Sequence, residues 1–188
     1  VKFTYNNKVG FKLEIGYAAF KGCTSLWKVS LSENVKELPS ELFSGCSSLE
    51  ILEIPESVTK LGYYMIQGTA IQSIQIPQNV SQATGYDNNR YGPFSGAEYL
   101  KTVTFEEGME RIPNLILTKA TKVTKIIIPS TVREIGGSAF SGCTSLVDIV
   151  LPDNIEIIEG SVFSNCTKLS EVKWPAGLKK IGGDAFEY

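Results

Sequence analysis

Apolar side chains recur along this chain in three columns that share one period. Phe20, Phe43, Ile66, Phe94, Leu117, Phe140, Phe163 and Phe186 form the first, at spacings of 23, 23, 28, 23, 23, 23 and 23. Val35, Val58, Val80, Met109, Val132, Ile155 and Leu178 form the second, and Leu26, Leu49, Ile71, Leu100, Val123, Leu146 and Leu169 the third. Each stretch of the unit predicts its own local structure. Residues 49–55 (LEILEIP) alternate inward and outward positions, which predicts a short strand with one buried face, closed where Pro removes a ladder donor. Residues 132–136 (VREIG) predict a second extended piece ending in a glycine turn. Residues 139–143 (AFSGC) predict a tight, 3₁₀-like turn that points Ala, Phe and Cys inward.

One such unit cannot bury its own apolar residues, so units must stack and bury them against each other. A fixed period of about 20–29 residues is the signature of a leucine-rich-repeat type solenoid. The expected architecture is therefore one β-rich array over residues 1–188, of about seven to eight stacked coils, with parallel strands ~4.8 Å apart. Residues 1–5 read as the last strand of a partial unit and 6–10 as the turn after it. Lys12 stands where Val is expected, so 1–11 form an irregular N-terminal part. The chain starts at Val1 rather than Met and stops partway through a unit, so the array is expected to be truncated at its C-terminal end.

The departures from the period are informative. The unit from Val58 is one residue short near 68–70. It carries Met65 and Ile66 where Ala and Phe are usual, and a later unit carries Ile116 and Leu117, an exchange of volume between neighbouring core positions. The main break is a loop insertion at 82–93, around GYDNNRYGP, whose Gly, Asn, Asp and Pro mark it as a loop. Insertions in solenoids emerge as loops, often on a binding face, so Tyr86, Asp87, Arg90 and Tyr91 are candidate partner contacts; a tolerated surface insertion is the bland alternative. The run of Asp87, Asn88 and Asn89 is too short for a calcium site, which needs about six or more oxygens.

Composition narrows the chemistry. The chain has 188 residues, 43% hydrophobic and 20% charged, enough for a sizeable core. Its net charge is −2 with no basic stretch, which argues against nucleic acid as partner. It contains no histidine, which removes His-based acid–base catalysis, the Ser-His and Cys-His triads and His-ligated metals. No apolar run reaches the ~20 residues of a membrane helix. Cys23, Cys46, Cys143 and Cys166 all occupy one repeat position, shared with Thr69, Ala97 and Ala120, so they read as small buried core residues. No zinc-type cysteine cluster exists, and no cofactor is expected. The sequons at Asn79 and Asn165 fall beside core columns and read as accidental.

Outward positions on the first strand form two columns. One holds Lys28, Ile51, Ser73, Thr102, Lys125, Asp148 and Glu171; the other Ser30, Glu53, Gln75, Thr104, Ile127, Val150 and Lys173. Lys125 with Asp148, and Glu171 with Lys173, are expected as weak surface pairs. Ile127 and Val150, flanked by Thr104, make a small apolar patch: ordinary surface, or part of a contact. Trp27 sits at a variable position and is a further candidate contact, whereas Trp174 sits in a core column and is expected to pack.

Residues 135–152 (IGGSAFSGCTSLVDIVLP), 158–175 and 38–55 carry a repeat that closely resembles the BspA-like leucine-rich repeats. The resemblance covers nearly the whole chain. It implies a bacterial cell-surface or secreted protein, without a catalytic motif, that takes part in adhesion or in binding a host or matrix protein or a surface glycan. The alternatives are a structural spacer in a larger surface protein and, more remotely, a hydrolytic enzyme using Glu106 and Glu107, or Asp148 and Glu171.

Overall fold

The computed structural model describes residues 14–187. The strand expected at 1–5, the turn at 6–10 and Lys12 lie outside the described residues. Short strands follow in chain order: β1 (Lys28–Ser30), β2 (Glu37–Leu38), β3 (Ile51–Glu53), β4 (Lys60–Leu61), β5 (Ser73–Ile76), β6 (Gln82–Ala83), β7 (Thr102–Phe105), β8 (Arg111–Ile112), β9 (Lys125–Ile127), β10 (Glu134–Ile135), β11 (Asp148–Ile149), β12 (Ile157–Ile158), β13 (Glu171–Val172) and β14 (Lys180–Ile181). Each coil contributes one strand to each of two parallel ladders, which makes a β-solenoid. Odd-numbered strands pair as β1–β3, β5–β7–β9 and β11–β13; even-numbered ones pair as β2–β4–β6 and β8–β10–β12–β14.

The register follows the repeat. Val29 lies opposite Leu52, and Ile74, Val103 and Ile126 lie in line, all turned inward, while Thr104 and Ile127 are partners on the outer side. The missing residue near 68–70 shortens one step of the register, so that Lys60 meets Gln82. The second ladder is interrupted between β6 and β8, where the chain leaves the coil.

The third side of each coil is built by turns. Cys46 N–H donates to Phe43 O (3.0 Å), Ser141 N–H to Ser138 O (3.2 Å) and Cys143 N–H to Phe140 O (3.1 Å). These bonds have the 3₁₀ spacing, yet no helix forms, because left-handed residues interrupt every turn. One stands two residues before the Phe column: Ala18, Glu41, Tyr64, Leu115, Ser138, Ser161 and Asp184 have φ between 50° and 64°. Another stands two residues after it, at Gly22, Gly45, Gly68, Gly96 and Gly142, with φ of 66–75°. Glycine takes that backbone without strain, whereas an ordinary residue loses on the order of 1–2 kcal/mol. Burying one Phe contributes about 1.5–3 kcal/mol, so the turn is favourable only because it delivers the ring to the core.

Coils are tied to each other through this turn side too. Phe43 N–H donates to Met65 O (2.9 Å), Leu117 N–H to Ala139 O (2.7 Å) and Phe163 N–H to Ala185 O (2.7 Å). Gly62 shows how close the coils come: a β-carbon there would lie 2.1 Å from the Ser40 backbone nitrogen. Inside, Phe43, Phe94, Phe140 and Phe163 are fully buried, and ring follows ring from Phe140 to Phe163 (5.6 Å) to Phe186 (5.0 Å). Where Leu117 leaves the Phe column short, Phe105 takes up the volume from β7 and packs 6.4 Å from Phe140. The bulkier Met65 and Ile116 beside the smaller Ile66 and Leu117 are all fully buried.

Two expectations change. Cys46, Cys143 and Cys166 are buried and point their thiols at the preceding coil, at Phe20 O (2.9 Å), Leu117 O (3.4 Å) and Phe140 O (3.2 Å). Cys23, by contrast, is exposed, in the turn of the first described coil. Trp174 is 49% exposed: it sits in the last described ladder step and meets Phe186 edge-on at 5.5 Å, with one side covered. Burial pushes the Cys166 thiol up to about 11 and the Cys143 thiol well above its ordinary value.

Phe140→Ala is expected to cost about 3–5 kcal/mol in denaturant unfolding, since the cavity opens against Phe105 and Phe163 at once. An aromatic disulfide reagent added to the native protein is expected to titrate Cys23 alone within minutes, and the remaining three thiols only after denaturation. Rapid reaction of more than one thiol in the native protein contradicts this packing.

Candidate functional site

The break in the repeat is narrower than 82–93. Gln82 and Ala83 form β6, and Thr84 N–H donates to Leu61 O (2.9 Å) as Gly62 N–H does to Leu38 O one coil earlier (2.7 Å). Tyr64 N–H donates to Gly92 O (3.1 Å) and Met65 N–H to Pro93 O (2.9 Å), so Gly92 and Pro93 are again part of the coil. The excursion is residues 85–91.

That excursion is a closed hairpin-like loop. Tyr86 N–H donates to Tyr91 O (2.9 Å), and Arg90 N–H returns to Tyr86 O (3.0 Å). Asp87, Asn88 and Asn89 between them all have positive φ, a backbone that Asp and Asn tolerate better than other side chains. Asp87 pairs with Arg90 at 3.7 Å. The two tyrosines at the loop's base pack at a tilt on the coil before it: Tyr86 on Tyr63 at 5.1 Å and Tyr91 on Tyr64 at 5.4 Å. Burial pushes the Tyr64 phenol upward, and Tyr91 and Tyr86 beside it add to the shift. Further along the same side, Tyr17 Oη donates to Glu41 Oε1 (2.5 Å), a bond that pushes the Tyr17 phenol up to about 12.

Towards the following coils the loop roofs a cleft of about 450 Å³. Asn89, Arg90 and Tyr91 form one wall. Thr118, Ser138, Ser141, Ser161 and Ser164 line the floor, with Lys119 and Asn165 beside them. Thr118 is used within the protein, donating to Ser138 O (2.7 Å), and Asn165 Nδ2 donates to Ser164 Oγ (2.9 Å). No carboxylate lines the cleft.

Of the four loop residues singled out in the sequence, Arg90 and Tyr91 face this cleft, whereas Tyr86 and Asp87 hold the loop's shape. The floor was hidden in the sequence because its serines belong to the repeated turn. A signal was present nonetheless: Lys119 and Asn165 stand in the glycine column and take φ of 56° and 57° there.

The strand-side candidates lie on another side of the coil. Thr104 and Ile127 are ladder partners, and Val150 follows in the next coil, 78% exposed against 40% for Ile127. Trp27 is 56% exposed but precedes β1, far along the array from β9, so it is not part of that patch. The expected pairs of Lys125 with Asp148 and Glu171 with Lys173 do not form among the described residues. Lys28 pairs instead with Glu53 (2.8 Å) across β1 and β3. The denser charge pairing runs along the second ladder, where Arg111 holds Glu134 (2.7 Å) and Glu159 (3.2 Å), and Glu156 lies between Arg133 (3.3 Å) and Lys179 (2.8 Å).

Of the carboxylates considered for hydrolysis, Glu106 and Glu107 are drawn apart: Glu106 accepts from Gln75 and Glu107 from Ser130 (2.9 Å), neighbours on opposite sides. Asp148 and Glu171 are direct ladder partners across β11 and β13, both exposed to solvent. A hydrogen bond with Glu106 raises Glu56, on exposed surface away from the cleft. Among the described residues no group of His, Cys, Asp and Glu is placed to hold a metal ion, and no helix is long and apolar enough to cross a membrane.

The sequence model described as the BspA type leucine rich repeat region matches residues 4–87 and 90–188, in six copies. Comparison with curated proteins returns no match. Among solved structures, a leucine-rich repeat protein from Bacteroides ovatus is 29% identical with a TM-score of 0.58, over 92% of this chain and 55% of that one. A leucine rich cell surface protein from Faecalibacterium prausnitzii is 25% identical with a TM-score of 0.45, over 90% of this chain and 53% of that one. The chain thus spans about half the length of these two similar proteins.

Lys179, then Arg133, hold the Glu156 carboxyl below its ordinary value, and Lys28 does the same for Glu53. Lowered carboxylates add stability above the unfolded-state value, and that increment is lost as pH falls through the folded-state value. The melting temperature in low salt is therefore expected to fall below about pH 4.5, and the fall should flatten at about 0.5 M salt or in Lys179→Met. A rise in stability on acidification contradicts the assignment.

Proposed function

The chain belongs to the BspA-type leucine-rich repeat family, and from that premise we propose that it is a non-enzymatic binding module, exposed on a bacterial surface or secreted. Its partner is a host or matrix protein or a surface glycan. The observation that carries this reading is the single closed loop at 85–91. It interrupts an otherwise regular array, it is held in shape by the Tyr86–Tyr91 pair and by two packed tyrosines, and it overhangs a polar cleft. A loop ordered before binding loses less entropy on capture than a floppy one, which is how a recognition element differs from a tolerated insertion.

Tyr86, Asp87, Arg90 and Tyr91 are assigned to the primary contact surface. Thr104, Ile127 and Val150 on the first ladder, and Trp27 apart from them, remain secondary candidates. A spacer role, with recognition carried elsewhere in a longer protein, is the competing reading.

The test joins Gly85 directly to Gly92, which removes the six surplus residues and leaves Val80 eight residues from Phe94, as Val58 is from Ile66, and compares this variant with Ile127→Lys/Val150→Lys. Each is measured by surface capture against purified extracellular-matrix proteins and immobilised surface glycans. Loss of the loop is expected to weaken capture by about tenfold or more, with the cooperative melt retained. The ladder variant alone losing capture moves the contact to the strand side, and capture unchanged in both favours the spacer.

A further inference from the structure

Glycine occupies the turn position two residues after the Phe column at Gly22, Gly45, Gly68, Gly96 and Gly142, and at each of them φ is positive. Lys119 and Asn165 replace it in two coils without relieving the backbone, which stays at φ of 56° and 57°. Both replacements line the cleft under the loop. Lysine has no local hydrogen bond to ease a left-handed backbone, so the side chain itself must justify its place. Its stem lies against Gly142 of the next coil, where a β-carbon would come within 2.8 Å of Lys119 Cδ. The glycine therefore makes room for the stem, and the stem runs along the cleft floor.

The cleft combines three kinds of group. Lys119 brings a positive charge that no lining carboxylate opposes, and Arg90 brings a second that it shares with Asp87 at 3.7 Å. The hydroxyls of Ser138, Ser141 and Ser161 can both donate and accept, and none of them is engaged by another side chain among the described residues. Tyr91, backed by Tyr64, presents an aromatic wall. A simple anion would use the cations and leave the hydroxyls and the ring idle. An apolar peptide would strand the hydroxyls. A pyranose matches all three, with its hydroxyls on the serines and its C–H face on the ring, and a carboxylate on that sugar satisfies the cations through charge-assisted bonds.

We infer that the cleft between the 85–91 loop and the turns carrying Lys119, Ser141 and Asn165 is a binding site for an acidic glycan, a pyranose bearing a carboxylate. The inference rests on the binding-module reading and specifies its ligand. Lys119 and Arg90 hold the carboxylate, Asn165 and the serines hold ring hydroxyls, and Tyr91 covers one sugar face.

The experiment is an amide chemical-shift titration with sialyllactose and with a hyaluronan tetrasaccharide, two sources of carboxylated sugar, against lactose, chitotetraose and inorganic phosphate. Either acidic sugar is expected to shift the resonances of Lys119, Ser141 and Asn165 saturably, with neutral sugars at least about tenfold weaker. Lys119→Gly is expected to weaken binding about tenfold or more while the melting temperature stays equal or rises, since glycine suits this backbone. Lys119→Gln, which keeps the backbone strain and removes the charge, should lose binding to a similar degree. No saturable shift with either acidic sugar at about 10 mM overturns the inference, as do equal affinity for neutral sugars, an equal response to phosphate, or full binding by Lys119→Gly. If the acidic sugars fail while loop removal still abolishes protein capture, the glycan site falls and the binding module stands.

Discussion

Most coils turn their chain left-handed on both sides of one large apolar residue. In the coils of Phe20, Phe43, Ile66, Leu117, Phe140 and Phe163 the residue two before the Phe column and the residue two after it both have positive φ, and between them the side chain is driven toward the centre of the coil. An isolated coil would gain nothing from this, because the side chain would still face water on two sides. Only when the next coil stacks, with Phe43 N–H bonded to Met65 O and Phe163 N–H to Ala185 O, does the burial outweigh the strain. Stability is thus a property of neighbouring coils, and strain at one turn is carried by packing at the next.

This constraint explains which residues are free to carry function. The repeated Gly, Ala, Phe, Ser and Cys of the turn are tied to backbone geometry or to the core, and the buried cysteines even spend their thiol protons on carbonyls of the preceding coil. A site has to be assembled from positions where the repeat is broken: the loop at 85–91, Lys119 and Asn165. These lie in different coils, and the loop brings them together by leaning along the array over the turns that follow it.

The fold was almost wholly legible in the sequence, because stacking forces the same side chain into the same place in each coil and so prints the period. Strand positions, outward columns and ladder register all follow from it. The tight turn with 3₁₀-type bonds was legible too, but not the left-handed residue before Phe, which is Ala18, Glu41, Tyr64, Leu115 or Ser138, residue types that do not announce positive φ as glycine does. Cys23 and Trp174 were misjudged because both stand in the outermost described coils, where the column position did not translate into burial. The loop was visible as a break in the period, but not its partners. Tyr63 and Tyr64 are ordinary-looking residues one coil away, and the serine floor is camouflaged by the repeat. The ion pairs expected on the first ladder were misplaced, since opposite signs at neighbouring positions do not by themselves bring long side chains together; the second ladder, with Arg111 between Glu134 and Glu159, does so through its register.

The geometry also distinguishes the two sides on which a partner would land. The first ladder carries two- to four-residue strands with exposed apolar side chains such as Ile127 and Val150. The turn side has relief, because the loop stands above it and the glycine positions leave room beside the chain. A flat face recognises a partner through a large area, whereas a cleft recognises a small feature through converging polar groups. The strained residues decide between them. Lys119 and Asn165 keep a positive φ at a position that other coils give to glycine, and both line the cleft, whereas none of the ladder residues has positive φ. The turn side under the loop is therefore where this chain departs furthest from what its fold alone requires.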